Sequence, residues 1–305
     1  MIYTITCNPA VDYVVQLEHF QPGQINRSKR DLKEAGGKGI NVSRVLEIFG
    51  EKSIALGFVG GFTGKFIEDA LNEAKIEHDF VSLKEDTRIN VKLKAATEET
   101  EINGTSPTIE EKDYAQLVEK LSKLSADDVV VLAGSLPSSL PKETYRSLVS
   151  LLNEKGIKSI LDTSGVPLKE AIQASPAFIK PNHIELAELF GEEVQNDQDI
   201  VRLAKRLNEE YNIDHVLISM AKDGAIYVGQ DQIIRLRAPK GKAVNSVGAG
   251  DSAVAGFLYK WQETKDAKKA AQFAVAAGSA TAFSAILCTK EEVDTLLHHV
   301  EVQTL

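Results

Sequence analysis

Short apolar runs recur along this chain with amphipathic stretches between them, and that alternation narrows its possible folds more than any other feature. The runs at 2–6, 54–59, 129–132, 159–161, 178–180 and 216–219 read as strands. Runs such as 54–59 and 129–132 contain no polar side chain, the pattern of strands buried on both faces. Helices are expected between them. Over 109–124, Tyr114, Leu117, Val118, Leu121 and Leu124 line one helical face, and Thr108 and Glu111 have the spacing of a capping box. Pro141 is placed to open another helix and Gly156 to close it. The expectation is an α/β chain: an α/β/α sandwich around a mostly parallel sheet.

Two segments break the rhythm. Residues 12–35 and 87–103 are polar, contain strand-like stretches ("YVVQL", "INVKLK") and lack helical periodicity. They read as a small inserted β-sheet, a lid or dimerisation surface, because irregular loops of that length are uncommon inside compact domains. Residues 1–11, 36–86 and 104–305 are then expected to form the α/β core. A homodimer through the lid is the expected assembly.

A net charge of −9 over 305 residues argues against a nucleic-acid or anionic-membrane surface, so any anionic ligand must be caught locally. The two cysteines, Cys7 and Cys288, lack metal-site spacing and suit buried thiols in a reducing compartment, with the cytoplasm as the expected location. No export signal is recognised at the N-terminus. Residues 270–288 approach membrane length, but their Ala, Gly, Ser and Thr content, with Gln272 inside, reads as a helix buried between protein layers.

The most informative motif is "NSVGAGDSAVAGF", residues 245–257. A glycine-rich turn entering a helix offers free amides to an anion, yet Asp251 stands there. Gly248, Gly250 and Ala253 match the dinucleotide pattern G-x-G-x-x-A, but the acid would face the pyrophosphate, and the motif does not follow the first strand. A P-loop fails at "GGFTGKF", residues 60–66, where Lys65 reads as a solvated helix residue. Phosphoryl transfer to an alcohol keeps every part, with the amides of residues 247–250 stabilising the transferring group and Asp251 accepting the hydroxyl proton; a plain helix cap is the other reading of this motif taken alone. "EAGGKGINVSRVLEIFG" sets adjacent glycines and a lysine before a helix carrying Asn41, an arrangement suited to a polyol. Asp12 ends "NPAVD", where a short carboxylate can hold two hydroxyls or simply begin a turn.

"GGKGINVSR", "LAGSLPSSLP", "KPNHIE", "SMAKDGA" and "VNSVGAGDS" together resemble, in order and approximate spacing, the ribokinase-like carbohydrate kinases of the phosphofructokinase-B family. The similarity spans essentially the whole chain. "GQINRS", "TRINVKL" and "EETEINGTSP" look most like its 1-phosphofructokinase branch, with tagatose-6-phosphate kinases the nearest rival.

The resemblance implies ATP and Mg²⁺ as cofactors, and roles for matching residues. Asp251 is implied as the base, with Gly248, Ala249 and Gly250 as the anion hole. Asn182 and Glu185 are implied to organise magnesium, largely through waters, and Lys180 to approach the nucleotide phosphates. Ser219, Met220, Ala221, Lys222, Asp223, Gly224, Ser246, Ala277 and Gly278 are implied to border the nucleotide. Asp12, Gly36, Gly37 and Asn41 are implied to hold the sugar, and Arg27, Lys38, Arg88 and Ser135 its existing phosphate. One departure is the Asn245-Ser246 pair, where many members read Asp-Thr; it puts a monovalent-cation site in doubt. An NAD-dependent oxidoreductase and a catalytically silent sugar-phosphate binder are the readings from other classes.

Overall fold

In the computed structural model, which describes residues 1–96 and 98–305, strand and helix alternate as the sequence pattern requires; Thr97, within the second expected insertion, lies outside the described residues. The chain opens with β1 (Ile2–Thr6), β2 (Ala10–Gln16), β3 (Arg30–Gly36), α1 (Lys38–Ile48), β4 (Ser53–Gly60) and α2 (Gly61–Glu73). Then come β5 (Glu77–His78), β6 (Val81–Leu83), β7 (Ile89–Lys94), β8 (Glu99–Asn103), α3 (Glu111–Ser122), β9 (Val129–Ala133), α4 (Thr144–Glu154) and β10 (Lys158–Asp162). They are followed by α5 (Gly165–Ala171), β11 (Phe178–Ile179), α6 (His183–Phe190), α7 (Asp197–Tyr211), β12 (His215–Ser219), β13 (Ala225–Gly229) and β14 (Ile233–Arg237). Three helices, α8 (Ala249–Thr264), α9 (Ala267–Phe283) and α10 (Lys290–Leu297), precede β15 (Glu301–Thr304).

Among the described residues the larger sheet runs β15-β14-β13-β12-β11-β10-β9-β1-β4-β5, with β6 also on β4. The pairs from β12 to β5 are parallel, and β13, β14 and β15 extend one end antiparallel. Alternation along β9 explains the layers. Val130 and Leu132 pack into a core with α3, α4 and α7, while Val129, Val131 and Ala133 enter a second core with α1, α8 and α9. A continuous apolar strand thus serves two helical layers, and the chain is an α/β/α sandwich.

The smaller sheet, ordered β3-β2-β7-β8, is built from the two segments that broke the sequence rhythm. Val11 and Ala35 tie it to Ile40, Val59 and Ile67 of the core.

Two helix starts differ from expectation. Thr108 does not cap α3: its N–H donates to Glu85 Oε2 at 3.1 Å, and Asp113 instead accepts from the Glu110 N–H at 3.2 Å. With Thr108 engaged elsewhere, the helix starts two residues later than expected, at Glu111. Pro141 does not open α4 either; its carbonyl accepts from Thr144 Oγ1 at 2.7 Å, making it part of the entering turn. The expected apolar helix is α9, most of its residues buried, and no helix among the described residues is long and apolar enough to cross a membrane.

Candidate active site

The entrance of α8 brings the glycine-rich turn to the carboxyl ends of the parallel strands, where ligands bind in open α/β sheets. Gly248 caps the helix at φ 80°, a left-handed conformation that a side chain would strain, and a Cβ there would meet Leu287 Cδ2 at 2.7 Å. Among the described residues the N–H groups of Gly248 and Gly250 have no partner. Val247, by contrast, is spent on Asn245 Oδ1 at 3.2 Å, and Ala249 on a long 3.3 Å bond to the Ser246 carbonyl. The anion-binding amides expected across 247–250 are therefore narrower in number than the sequence implied.

Asp251, in the first turn of α8, is 5% exposed and accepts from Asn41 Nδ2 at 2.8 Å. Burial first, then repulsion from Asp162, pushes its carboxyl up to about 6, against the opposing pull of Lys38, Asn41 and Lys180. A buried base with a pKa near the operating pH is suited to proton transfer. Below it, Ser252 and Thr281 hydroxyls bond at 2.7 Å and seat α8 on α9. Gly278 permits that approach, since its missing Cβ would lie 3.1 Å from the Ala249 carbonyl oxygen.

Asp162, which the sequence reading missed, organises the charge opposite. It ends β10, fully enclosed, with Lys38 Nζ at 3.2 Å and Lys180 Nζ at 3.5 Å. Burial raises its pKa, but Lys180 and Lys38 outweigh burial and hold the carboxyl below the ordinary value. Its Oδ2 has no hydrogen-bond partner among the described residues. A Cβ on Gly250 would stand 3.1 Å from Lys180 Nζ, so this lysine reaches the α8 entrance. Two lysines, two carboxylates and the free amides converge there.

On the acceptor side, one cleft joins Asp12 and Asn41 to Glu34, Arg44, Asn245 and Leu287. The last four were not foreseen as lining. Gly36 lets the Asp12 carboxylate lie against the backbone, because a Cβ would sit 2.7 Å from Oδ2; Gly37 has φ 129°. Arg88 donates to the carbonyls of Asn8 (3.1 Å) and Pro9 (3.4 Å), and Asn8 Nδ2 donates to Ser135 Oγ at 3.2 Å. Arg27 is not brought in: it is exposed between β2 and β3 with no hydrogen bond or ion pair among the described residues.

Near the nucleotide-side residues, Asn182 bridges to Ser219 at the end of β12. The turn from Met220 to Gly224 closes through the Met220 N–H on the Gly224 carbonyl at 2.8 Å, and buried Arg235 holds the Asp223 carbonyl at 2.8 Å. Ala221, Lys222 and Asp223 stand exposed on it; on α9, Gly278 lies against Ala249 at the α8 entrance, whereas Ala277 is fully buried against Gly256 further along α8. Ser246 is exposed before that entrance.

Asn182 Oδ1 accepts the N–H groups of Ile184 and Glu185, and Glu185 Oε2 accepts that of Asn182 at 2.8 Å. One Glu185 oxygen remains. No group of three His, Cys, Asp or Glu side chains able to hold a metal occurs among the described residues. This donor set fits magnesium that keeps its waters, the usual state of that ion, and does not fit a protein cage.

A parallel-sheet crevice with a buried carboxylate at a helix entrance and paired lysines opposite has the layout of a phosphoryl-transfer enzyme rather than a dinucleotide oxidoreductase. The model for the pfkB family carbohydrate kinases matches residues 3–292, and the chain belongs to that family. It is 48% identical to the 1-phosphofructokinase of Bacillus subtilis (strain 168) over the full length of both chains. A tagatose-6-phosphate kinase of Staphylococcus epidermidis is 38% identical over 84% of each. The crystal structure of phosphofructokinase-2 from Escherichia coli in complex with fructose-6-phosphate superposes with a TM-score of 0.92 at 28% identity, covering 97% of this chain and 98% of that one.

Proposed function

We propose that the chain catalyses the 1-phosphofructokinase reaction, moving the γ-phosphoryl group of ATP to the 6-hydroxyl of fructose 1-phosphate to give fructose 1,6-bisphosphate. The observation that carries the chemistry is Asp251: a buried carboxylate beside free helix-entrance amides, with a pKa near 6. It accepts the hydroxyl proton as the oxygen attacks in line, and Asn41 fixes its orientation through the 2.8 Å bond. The Gly248 and Gly250 amides, with Lys180, stabilise charge on the group in flight. Magnesium, when bound, neutralises phosphate charge, with Glu185 holding it through water and Asn182 shaping that turn. Ser219 to Gly224, Ser246, Ala277 and Gly278 border the nucleotide in this reading.

Asp12, Gly36, Gly37 and Asn41 hold the sugar, and Lys38, Arg88 and Ser135 take the phosphate it already carries. Arg27 can join them only if its loop moves or another copy supplies it. Residues 12–35 and 87–103 act as the lid and as the surface of a homodimer. Two buried free thiols are consistent with the cytoplasm as the working compartment.

The choice of substrate rests on the 48% identical relative and on "TRINVKL". An ADP-release assay across fructose 1-phosphate, tagatose 6-phosphate, fructose 6-phosphate and free fructose tests it. Highest kcat/KM is expected on fructose 1-phosphate. A higher value on another sugar removes this assignment and leaves the family.

A further inference from the structure

The carboxylate of Asp12 is held from the second sheet by two side chains that no assignment above uses. Strand β7 runs parallel to β2 with Asn90 opposite Asp12. Asn90 Nδ2 donates to Asp12 Oδ1 at 3.0 Å, and Lys92 Nζ lies 3.2 Å from Oδ2. Asn90 is fixed in turn, its Oδ1 accepting from the Gly104 N–H at 3.3 Å. Two residues apart on one strand, Asn90 and Lys92 share a face, and each is only 9% exposed.

A buried lysine is unusual without a purpose, because its charge must be desolvated. Among the described residues Asp12 is the one anion that pairs with Lys92, and its side chain is itself 17% exposed at the cleft. Lys94, on the same face of β7, reaches instead to Glu99 at the more open end of the sheet. Such buried pairs contribute little net stability compared with apolar packing, so the presence of this one points to what it does to Asp12.

Two effects follow. Each Asp12 oxygen spends one lone pair on β7, which fixes the carboxylate plane and leaves the remaining lone pairs for sugar hydroxyls. A bare carboxylate would also repel a sugar that already bears phosphate, and the ammonium cancels that charge. We propose that Lys92 is a positioning residue, which orients and neutralises Asp12 so that the cleft accepts a phosphorylated sugar. This rests on the phosphosugar-kinase reading.

The test is a double-mutant cycle on the full-length protein with fructose 1-phosphate. Lys92→Met is expected to raise the sugar KM about 10- to 100-fold, the range for losing a charge-assisted contact, with kcat and the ATP KM within about twofold of the parent. Lys92→Arg should restore most of the loss. If Lys92 works through Asp12, then Asp12→Asn with Lys92→Met is no worse than Asp12→Asn alone. Should the Met variant fail to fold, Lys92→Gln, which keeps a donor there, carries the same comparison. A parent-like KM overturns the proposal. So do losses that multiply in the double variant, which would put Lys92 on the substrate itself, and sugar and ATP KM values rising together with a lowered Tm, the mark of a structural role. A parent that turns over no phosphosugar overturns the kinase reading first, and is distinguished by that.

Discussion

Asp251 keeps a carboxylate where burial and Asp162 both oppose its charge. The unionised form is therefore favoured by folding, and the sign of the consequences is fixed. Its contribution to stability is fully present below the ordinary carboxylate value and lost as pH rises through about 6. Asp251→Asn should accordingly be more stable than the parent at pH 8, by at most ~3 kcal/mol, with the gap closing near pH 4; denaturant titrations at the two pH values measure it. Activity moves the other way. The parent's kcat/KM should rise as pH passes about 6, when the base becomes available. The Asn variant should lose about 10²–10⁴-fold in kcat with little change in sugar KM, and near-parent turnover would remove Asp251 from the mechanism. This acid was legible because the glycines before it mark a helix entrance. Asp162 was not, since one carboxylate ending an apolar run looks like a turn former. Its meaning comes from Lys38, 124 residues away, and from Lys180 on the neighbouring strand end.

Helix α6 shows how an element can serve fold and site with the same atoms. Asn182 and Glu185 cap its amino end reciprocally, as the short spacing in "KPNHIE" permits. That use leaves the other Glu185 carboxylate oxygen for the water-held magnesium proposed above. Glu185→Gln keeps an acceptor for the Asn182 N–H and removes the charge, so half-maximal activity should need more magnesium while Tm falls only slightly. A magnesium titration that superposes on the parent's would leave Glu185 a cap and nothing more. The strands read best from sequence were the apolar runs of the parallel sheet, β1, β4, β9, β10, β11 and β12, while the short β5 and β6 were not foreseen. Strands β13, β14 and β15 escaped notice, because an antiparallel end of the sheet owes its place to pairing partners that pattern alone does not name. Arg235 disguises β14 further: a charged residue in a strand reads as solvated, whereas here it is buried on Asp197 and three carbonyls.

At the scale of the whole molecule, the second sheet has its polarity inverted. The face carrying Asp12, Asn90 and Lys92 turns to the site, and alternation sends Tyr13, Ile89, Val91, Leu93 and Ile102 to the other. Past the stretch covered by Val11, Ala35 and α2, that apolar face is open; Ile89 and Ile102 are 39% and 55% exposed. Its edge strands, β3 and β8, also lack outer neighbours in this sheet among the described residues. A second copy related by a two-fold axis meets both needs, since such an axis sets each apolar face against the same face of its mate. The chain should therefore sediment as a homodimer at micromolar concentration. Ile102→Glu should shift it toward monomer, because a carboxylate would be desolvated at the interface, while leaving the α/β/α core and its melting behaviour close to the parent's. Dissociation should raise the sugar KM more than the ATP KM, because β2 and β7, which hold Asp12, Asn90 and Lys92, belong to the sheet that loses its support. A parent that sediments as a monomer with full activity would refute the dimer, and a monomeric Ile102→Glu with parent-like sugar KM would show that the lid works without it.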